Sequence, residues 1–226
     1  AAVITIDASS TTHREVNVDV ELSDISLLIT TVQPPMEYVK AVQSAVGSAS
    51  GLNIPVKTFE LQRVNLTSPS GLQTINIPNQ SYNRVLSTFA VPIDVAKLQD
   101  LEIDSLKGVY DGLQNYQYIH GDNAVPNRVV PTEQYAVERR GAIHQNELKK
   151  ALDNSHIECL DLHRLVATGF VVARAWSDRG SVSDLSINPL SLNLDYASTA
   201  TVNKIIYNFI NQVRIMNVST AGIVRM

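Results

Sequence analysis

GLQNYQYIHGDNAVPNRVVPTEQY, residues Gly112–Tyr135, joins an alternating aromatic run to a turn cluster and then to a helical pattern. Tyr116 and Tyr118 stand two apart, as one face of a strand requires, and Gly121, Asp122 and Asn123 supply the backbone freedom of a sharp reversal. Pro126 and Pro131 predict an extended, irregular continuation. Nothing in the stretch has the pattern of a reaction centre; it is a strand end carrying an ordered loop.

On either side the period-2 signal recurs. Upstream, Glu15–Leu22 alternates valine or leucine with acid or amide, Ile25–Thr31 is a short apolar run, and Lys57–Val64 alternates around Phe59 and Leu61. Each predicts a strand. Ser68–Gly71 is a turn, Leu72–Ile77 resumes the sheet until Pro78, and Asn83–Val91 is a longer strand with Val85, Phe89 and Val91 on one side. Downstream, Thr168–Trp176 is a strand. Leu190, Leu192, Leu194 and Tyr196 alternate with polar residues, and Ile205, Tyr207 and Phe209 do the same before an interruption at Asn211–Gln212.

Helices are predicted in two places only. Pro34 and Pro35 open one at its first turn, where a missing N–H costs little, and Met36, Val39, Val42 and Val46 keep helical spacing until Gly51. Thr132–Asp153 predicts the longest helix, with Val137, Ile143, Leu148, Ala151 and Leu152 on its apolar face. Gly141 within it weakens the interior by about 1 kcal/mol relative to alanine. Roughly ten strands with turn signals between them, and helices confined to two insertions, imply an all-β antiparallel sandwich rather than a βαβ architecture.

The composition excludes several function classes. Of 226 residues 44% are hydrophobic and 18% charged, enough apolar surface for a core and too much for a disordered chain. A net charge of −4 argues against wrapping nucleic acid, which needs a basic footprint, so no direct nucleic-acid contact is expected. A single cysteine, Cys159, staples nothing within the chain. No run approaches the roughly 20 apolar residues of a membrane span, and the start has no signal-like pattern. The lack of an initiator methionine suggests a processed chain or a piece of a longer one.

Candidate chemistry is thin. His156, Glu158, Cys159, Asp161 and His163 are the densest set of ligand types, but the downstream cysteine pair of a zinc deaminase is missing, and polar residues on an exposed turn account for them. His120 and Asp122 have no nucleophile elbow to serve. Arg139 and Arg140 fit a solvated helix face beside Glu138. Tyr116 and Tyr118 could line a carbohydrate groove or pack in the core, and packing is the reading adopted. The residues therefore assign no catalytic, cofactor-binding or metal-binding site.

The order of features adds a resemblance. Ser81–Phe89, then QNYQYIHGDNAVPNRVV, a helix, the Phe170–Trp176 strand, Leu190–Tyr196, Lys204–Ile215 and a closing Gly222-Ile-Val resemble the C-terminal jelly roll of double jelly-roll viral major capsid proteins of the virophage, Polinton and adenovirus-like lineages. The resemblance runs from about Glu15 to the end, with Tyr118, Gly121 and Pro126 fitting the strand, turn and proline of that family. It implies an antiparallel jelly roll with short helical insertions, one domain over 1–226 that is half of a two-roll subunit, and core strands carrying Leu192, Leu194, Tyr196, Ile205, Tyr207 and Phe209. It further implies a structural, non-enzymatic capsid protein of the virion, assembled inside the host cell without a cofactor. Its partners would be copies of itself in a homotrimer, other capsid proteins, and an N-terminal jelly roll if the chain is a fragment. This chain has strands for only one roll. The alternatives are a carbohydrate- or receptor-binding jelly roll of lectin or spike type and a cupin-like enzyme, although His13, His120, His144, His156 and His163 show no cupin spacing.

Overall fold

The computed structural model describes residues 33–48, 50–98, 108–132, 142–158, 169–177, 181–197, 202–220 and 222–225. The strands expected at Glu15–Leu22 and Ile25–Thr31 lie outside them. The chain divides into two units, Ala1–Ala41 and Val42–Met226, and every strand described belongs to the second.

Helix α1 spans Met36–Val46 and begins where the proline pair predicts, with the Val39 N–H donating to the Pro35 carbonyl at 3.1 Å. It ends at Gly47 rather than at Gly51. Gly51, at φ +65°, instead turns the chain into the first strand, a conformation that side chains resist.

Among the described residues nine strands follow: β1 (Leu52–Leu66), β2 (Gly71–Ile77), β3 (Val85–Asp94), β4 (Leu113–His120), β5 (Asn123–Pro131), β6 (Val172–Ala175), β7 (Leu190–Tyr196), β8 (Lys204–Ser219) and β9 (Gly222–Arg225), with helix α2 (Ala142–Ser155) between β5 and β6. One sheet has the order β1-β8-β3-β6 with β9 added along β8, and the other β2-β7-β4-β5; every ladder is antiparallel. The pairs β1–β8, β2–β7, β3–β6 and β4–β5 are those of one long hairpin, folded over so that alternate pairs fall in opposite sheets. That is a jelly roll, the fold class the sequence implied.

The two sheets bury one face each against the other. In β7 the alternation is unbroken: Leu190, Leu192, Leu194 and Tyr196 are buried and the residues between them half-exposed. Removing each such side chain from water contributes about 1.5–3 kcal/mol. Tyr82, Tyr116, Tyr118, Tyr196 and Phe170 are the largest fully buried groups, so aromatic rings fill the space between the sheets. Burial pushes the Tyr82 and Tyr118 hydroxyls up to about 12 and raises those of Tyr116 and Tyr196 too, keeping all four neutral.

Four expectations need correction. Asn123–Pro131 is a strand rather than a loop, but an irregular one: its ladder to β4 shifts register between the Tyr118–Val125 and Tyr116–Val130 pairs, and Pro126 falls in that unpaired stretch, where a missing N–H costs no ladder bond. The helix after it is observed over Ala142–Ser155. Thr132 is tied to β4, its N–H donating to the Gln114 carbonyl (2.8 Å) and its hydroxyl to the Leu113 carbonyl, and residues 133–141 of the expected helix lie outside the described residues. Ile143 is exposed, and buried His144 and Glu147 stand beside Leu148, Ala151 and Leu152 instead. The expected break at Asn211–Gln212 is absent: β8 runs through it, and Gln212 donates to Glu60 on β1 at 3.1 Å. Finally, Thr168–Trp176 contracts to Val172–Ala175 among the described residues.

Helix α2 closes the flank between the edge strands β5 and β6. Glu147 pairs with Arg174 of β6, Asn154 donates to the Leu86 carbonyl, and Ser155 meets Ser87, both on β3. Leu148, Ala151 and Leu152 join the core.

Candidate functional site

The stretch that organises the sequence forms the β4–β5 hairpin. Tyr116 and Tyr118 both point into the sandwich and are buried. The Tyr116 hydroxyl donates to the Ala173 carbonyl at 3.3 Å, and its ring meets His144 edge-on at 5.7 Å. Tyr118 meets Trp176 edge-on at 5.5 Å, and Trp176 Nε1 donates to Thr88 Oγ1 at 3.2 Å. An exposed sugar-binding groove cannot use these two rings.

Gly121 lies in the hairpin turn at φ +61°, its N–H donating to the Pro189 carbonyl at 2.8 Å. A Cβ there would stand 3.1 Å from Asn188 Cβ, so both conformation and space require glycine. The Val125–Pro126 bond is cis, and Gln117 Nε2 donates to the Pro126 carbonyl at 2.7 Å. The hairpin is thereby locked to the loop before β7, which a buried Asn79 also holds through the Leu185 and Asn188 carbonyls. Of the strand residues named from the sequence, Leu192, Leu194, Tyr196 and Ile205 are fully buried, whereas Tyr207 and Phe209 are half-buried.

That difference identifies a surface. The register aligns Leu61, Phe209, Phe89 and Ala173 across β1, β8, β3 and β6 on one face. The same face receives α2, and an apolar hollow there is lined by Phe59, Phe89, Leu148, Leu152, Ile157 and Phe209. Toward the edge the cover runs out. Phe59 is 54% and Leu61 53% exposed, flanked along β1 by exposed Lys57 and Arg63. Lys57 Nζ lies 2.7 Å from His156 Nδ1 just beyond α2. On the opposite flank, Arg128, Lys150 and Arg174 surround Glu147 in a polar crevice beside Pro126.

Lys204 and His144 are among the buried polar groups whose burial the sequence reading did not foresee. Lys204, wholly buried at the head of β8, pairs with Asp111, donates to the Val202 carbonyl at 3.0 Å and stands 4.9 Å from the Tyr196 ring centre. Ninety-three residues separate the pair, and no local pattern marks it. His144 stacks on Phe170 at 5.1 Å, and burial lowers its pKa to about 4, so it is neutral at pH 7. A histidine at a helical spacing that includes buried Leu148 and Ala151 was the available signal.

The remaining candidates do not converge. His120 lies against Trp176, Asp122 is exposed in the turn, and His156 and Glu158 are exposed after α2. His13, Arg139, Arg140, Cys159, Asp161 and His163 lie outside the described residues. Among the described residues no three His, Cys, Asp or Glu gather as metal ligands, and no helix is long and apolar enough to cross a membrane.

No protein-family model matches the chain, and no curated protein matches it. Solved structures do. A chain of the PBCV-1 virus capsid aligns with a TM-score of 0.50 at 8% identity, over 77% of this chain and 52% of that one. PBCV-1 VP54, fitted into a reconstruction of the virophage Sputnik, aligns at 0.49 and 9% identity, over 77% and 51%. A chain of the Sputnik virophage structure aligns at 0.42 and 12%, over 77% and 39%. The chain thus spans about half the length of the PBCV-1 chains it matches. At such identities the likeness is one of fold.

Proposed function

We propose that the chain is a structural subunit of a viral capsid, one jelly roll of a two-roll unit that assembles into trimeric, pseudo-hexameric capsomers of an icosahedral shell. The observation that carries this reading is the strand order, β1-β8-β3-β6 against β2-β7-β4-β5, in a fold similar to 52% of a PBCV-1 capsid chain. The interior supports it. Tyrosines and leucines fill the space between the sheets, a packing suited to a rigid building block. The half-exposed apolar pair Phe59 and Leu61 gives one flank a surface to bury on assembly.

In this reading the protein is not an enzyme and uses no cofactor. Its partners are copies of itself, other capsid proteins and a second jelly roll, and its place is the virion, built inside the host cell. It makes no direct contact with the genome. A lectin-like role is the weaker reading, because the aromatic pair best spaced for a sugar groove is in the core. Light scattering on the purified chain, alone and with the rest of its polypeptide, tests the proposal. A trimer or larger closed assembly supports it; a monomer at all concentrations that binds glycans overturns it.

A further inference from the structure

Arg128 of β5, Lys150 of α2 and Arg174 of β6 belong to three separate elements, yet they line one crevice of about 490 Å³. Only folding brings them together. Of the 18 lysines and arginines in a chain of net charge −4, three converge here. Like charges gathered at one place repel, so the arrangement costs stability unless anions offset it.

The anion that the crevice itself contains is Glu147, and it is already engaged. Its side chain is 8% exposed, and it takes the Nη1 end of the Arg174 guanidinium, while Lys150 Nζ stands 3.9 Å from its other oxygen. Among the described residues no carboxylate pairs with Arg128. One negative charge therefore serves three positive ones. The unmatched charge sits on the accessible side, because Arg128 is exposed and the Lys150 side chain is 53% exposed. Exposed Asn127 adds an amide to the lining, and the remaining wall is Val125 and Pro126.

We propose that this crevice binds a phosphate group, with Arg128, Lys150 and Arg174 as its cationic donors and Asn127 as a neutral one. A phosphate ester carries a charge of about −1.5 to −2 at pH 7, which matches the two unmatched cations, whereas a carboxylate would match one. Guanidinium forks meet two phosphate oxygens at once, and the lysine acts as a point charge beside them. No aromatic ring lines the crevice, so a nucleobase has nothing to stack on. The ligand is a small phosphate, free or as an ester. The site belongs to a single chain and stands whether or not the chain assembles.

Isothermal titration calorimetry of the full chain in low-salt buffer tests this, with inorganic phosphate, glycerol phosphate and acetate as probes. Phosphate should bind at one site per chain and more tightly than acetate. Arg128→Gln with Lys150→Gln changes two exposed side chains, and Arg174 stays in place because it holds buried Glu147. That pair should weaken phosphate binding by about tenfold or more, as the loss of two charge-assisted hydrogen bonds requires. Lys57→Gln with Arg63→Gln, the same change of charge on exposed positions of β1, should leave binding as it was. Tighter binding of inorganic phosphate than of glycerol phosphate supports a free ion as the ligand, and the reverse order supports an ester. Equal weakening by the two pairs of substitutions would overturn the proposal, since net charge alone would then explain the attraction. So would acetate binding as tightly as phosphate, or an absence of binding heat at millimolar phosphate. A single-stranded oligonucleotide that binds more tightly than phosphate, and is lost with Arg128 and Lys150, would also overturn it by making the crevice part of a nucleic-acid track.

Discussion

Replacing Asp111 with alanine isolates the Lys204 ammonium inside the protein. The lysine side chain is 0% exposed, and without Asp111 its neighbours are the Val202 carbonyl and the Tyr196 ring. Removing one partner of a buried pair costs about 3–5 kcal/mol, because the charge left behind has lost both water and counter-charge. For a chain of this size that corresponds to a fall in Tm of about 6–20 °C. The reverse substitution, Lys204→Met, leaves Asp111, whose side chain is 27% exposed and can be hydrated, so the loss should stay under about 1.5 kcal/mol. Urea unfolding at fixed protein concentration, followed by the fluorescence of the chain's one tryptophan, Trp176, measures both. Equal losses, or a larger one for Lys204→Met, would refute the claim that the lysine depends on this carboxylate.

Three further outcomes follow from the core. His144 has a folded pKa lowered to about 4, so stability is complete above its ordinary value of 6.5 and falls as pH drops toward 4. The loss reaches about 3 kcal/mol, and His144→Phe should flatten that part of a stability-against-pH curve while the carboxylate contribution persists. Gly121→Ala should cost about 1–2 kcal/mol, from its positive φ and the approach to Asn188, seen as a lower urea midpoint with unchanged slope. Leu192→Ala should cost about 2–5 kcal/mol by calorimetry, because the residue is fully buried between the sheets.

How much the sequence revealed depended on the range of each interaction. In β7 one face is buried and one half-exposed, so alternation written in Leu190–Tyr196 survives folding intact. In β3 nearly every residue is buried, because α2 covers the outer face that Phe89 shares, and alternation there carried no information about exposure. Pro126 and Pro131 disguised β5, since a proline excluded from a regular central strand is tolerated at an edge and where a ladder shifts register, and both are properties of the assembled sheet. Asn211 and Gln212 disguised the middle of β8 for a related reason: Glu60, brought alongside by the β1 ladder, satisfies Gln212. The candidate surface was half legible. Phe59 and Leu61 were visible as an apolar pair, but that they face outward follows from sheet order and from where α2 ends. The Lys204–Asp111 pair depends on topology alone.

The central claim is that this jelly roll is a building block of a shell, and electron microscopy of the purified protein together with its full polypeptide tests it most directly. The account predicts averaged images with three-fold symmetry and a six-lobed outline, one lobe for each roll. Isolated single-lobed particles at every concentration would contradict it.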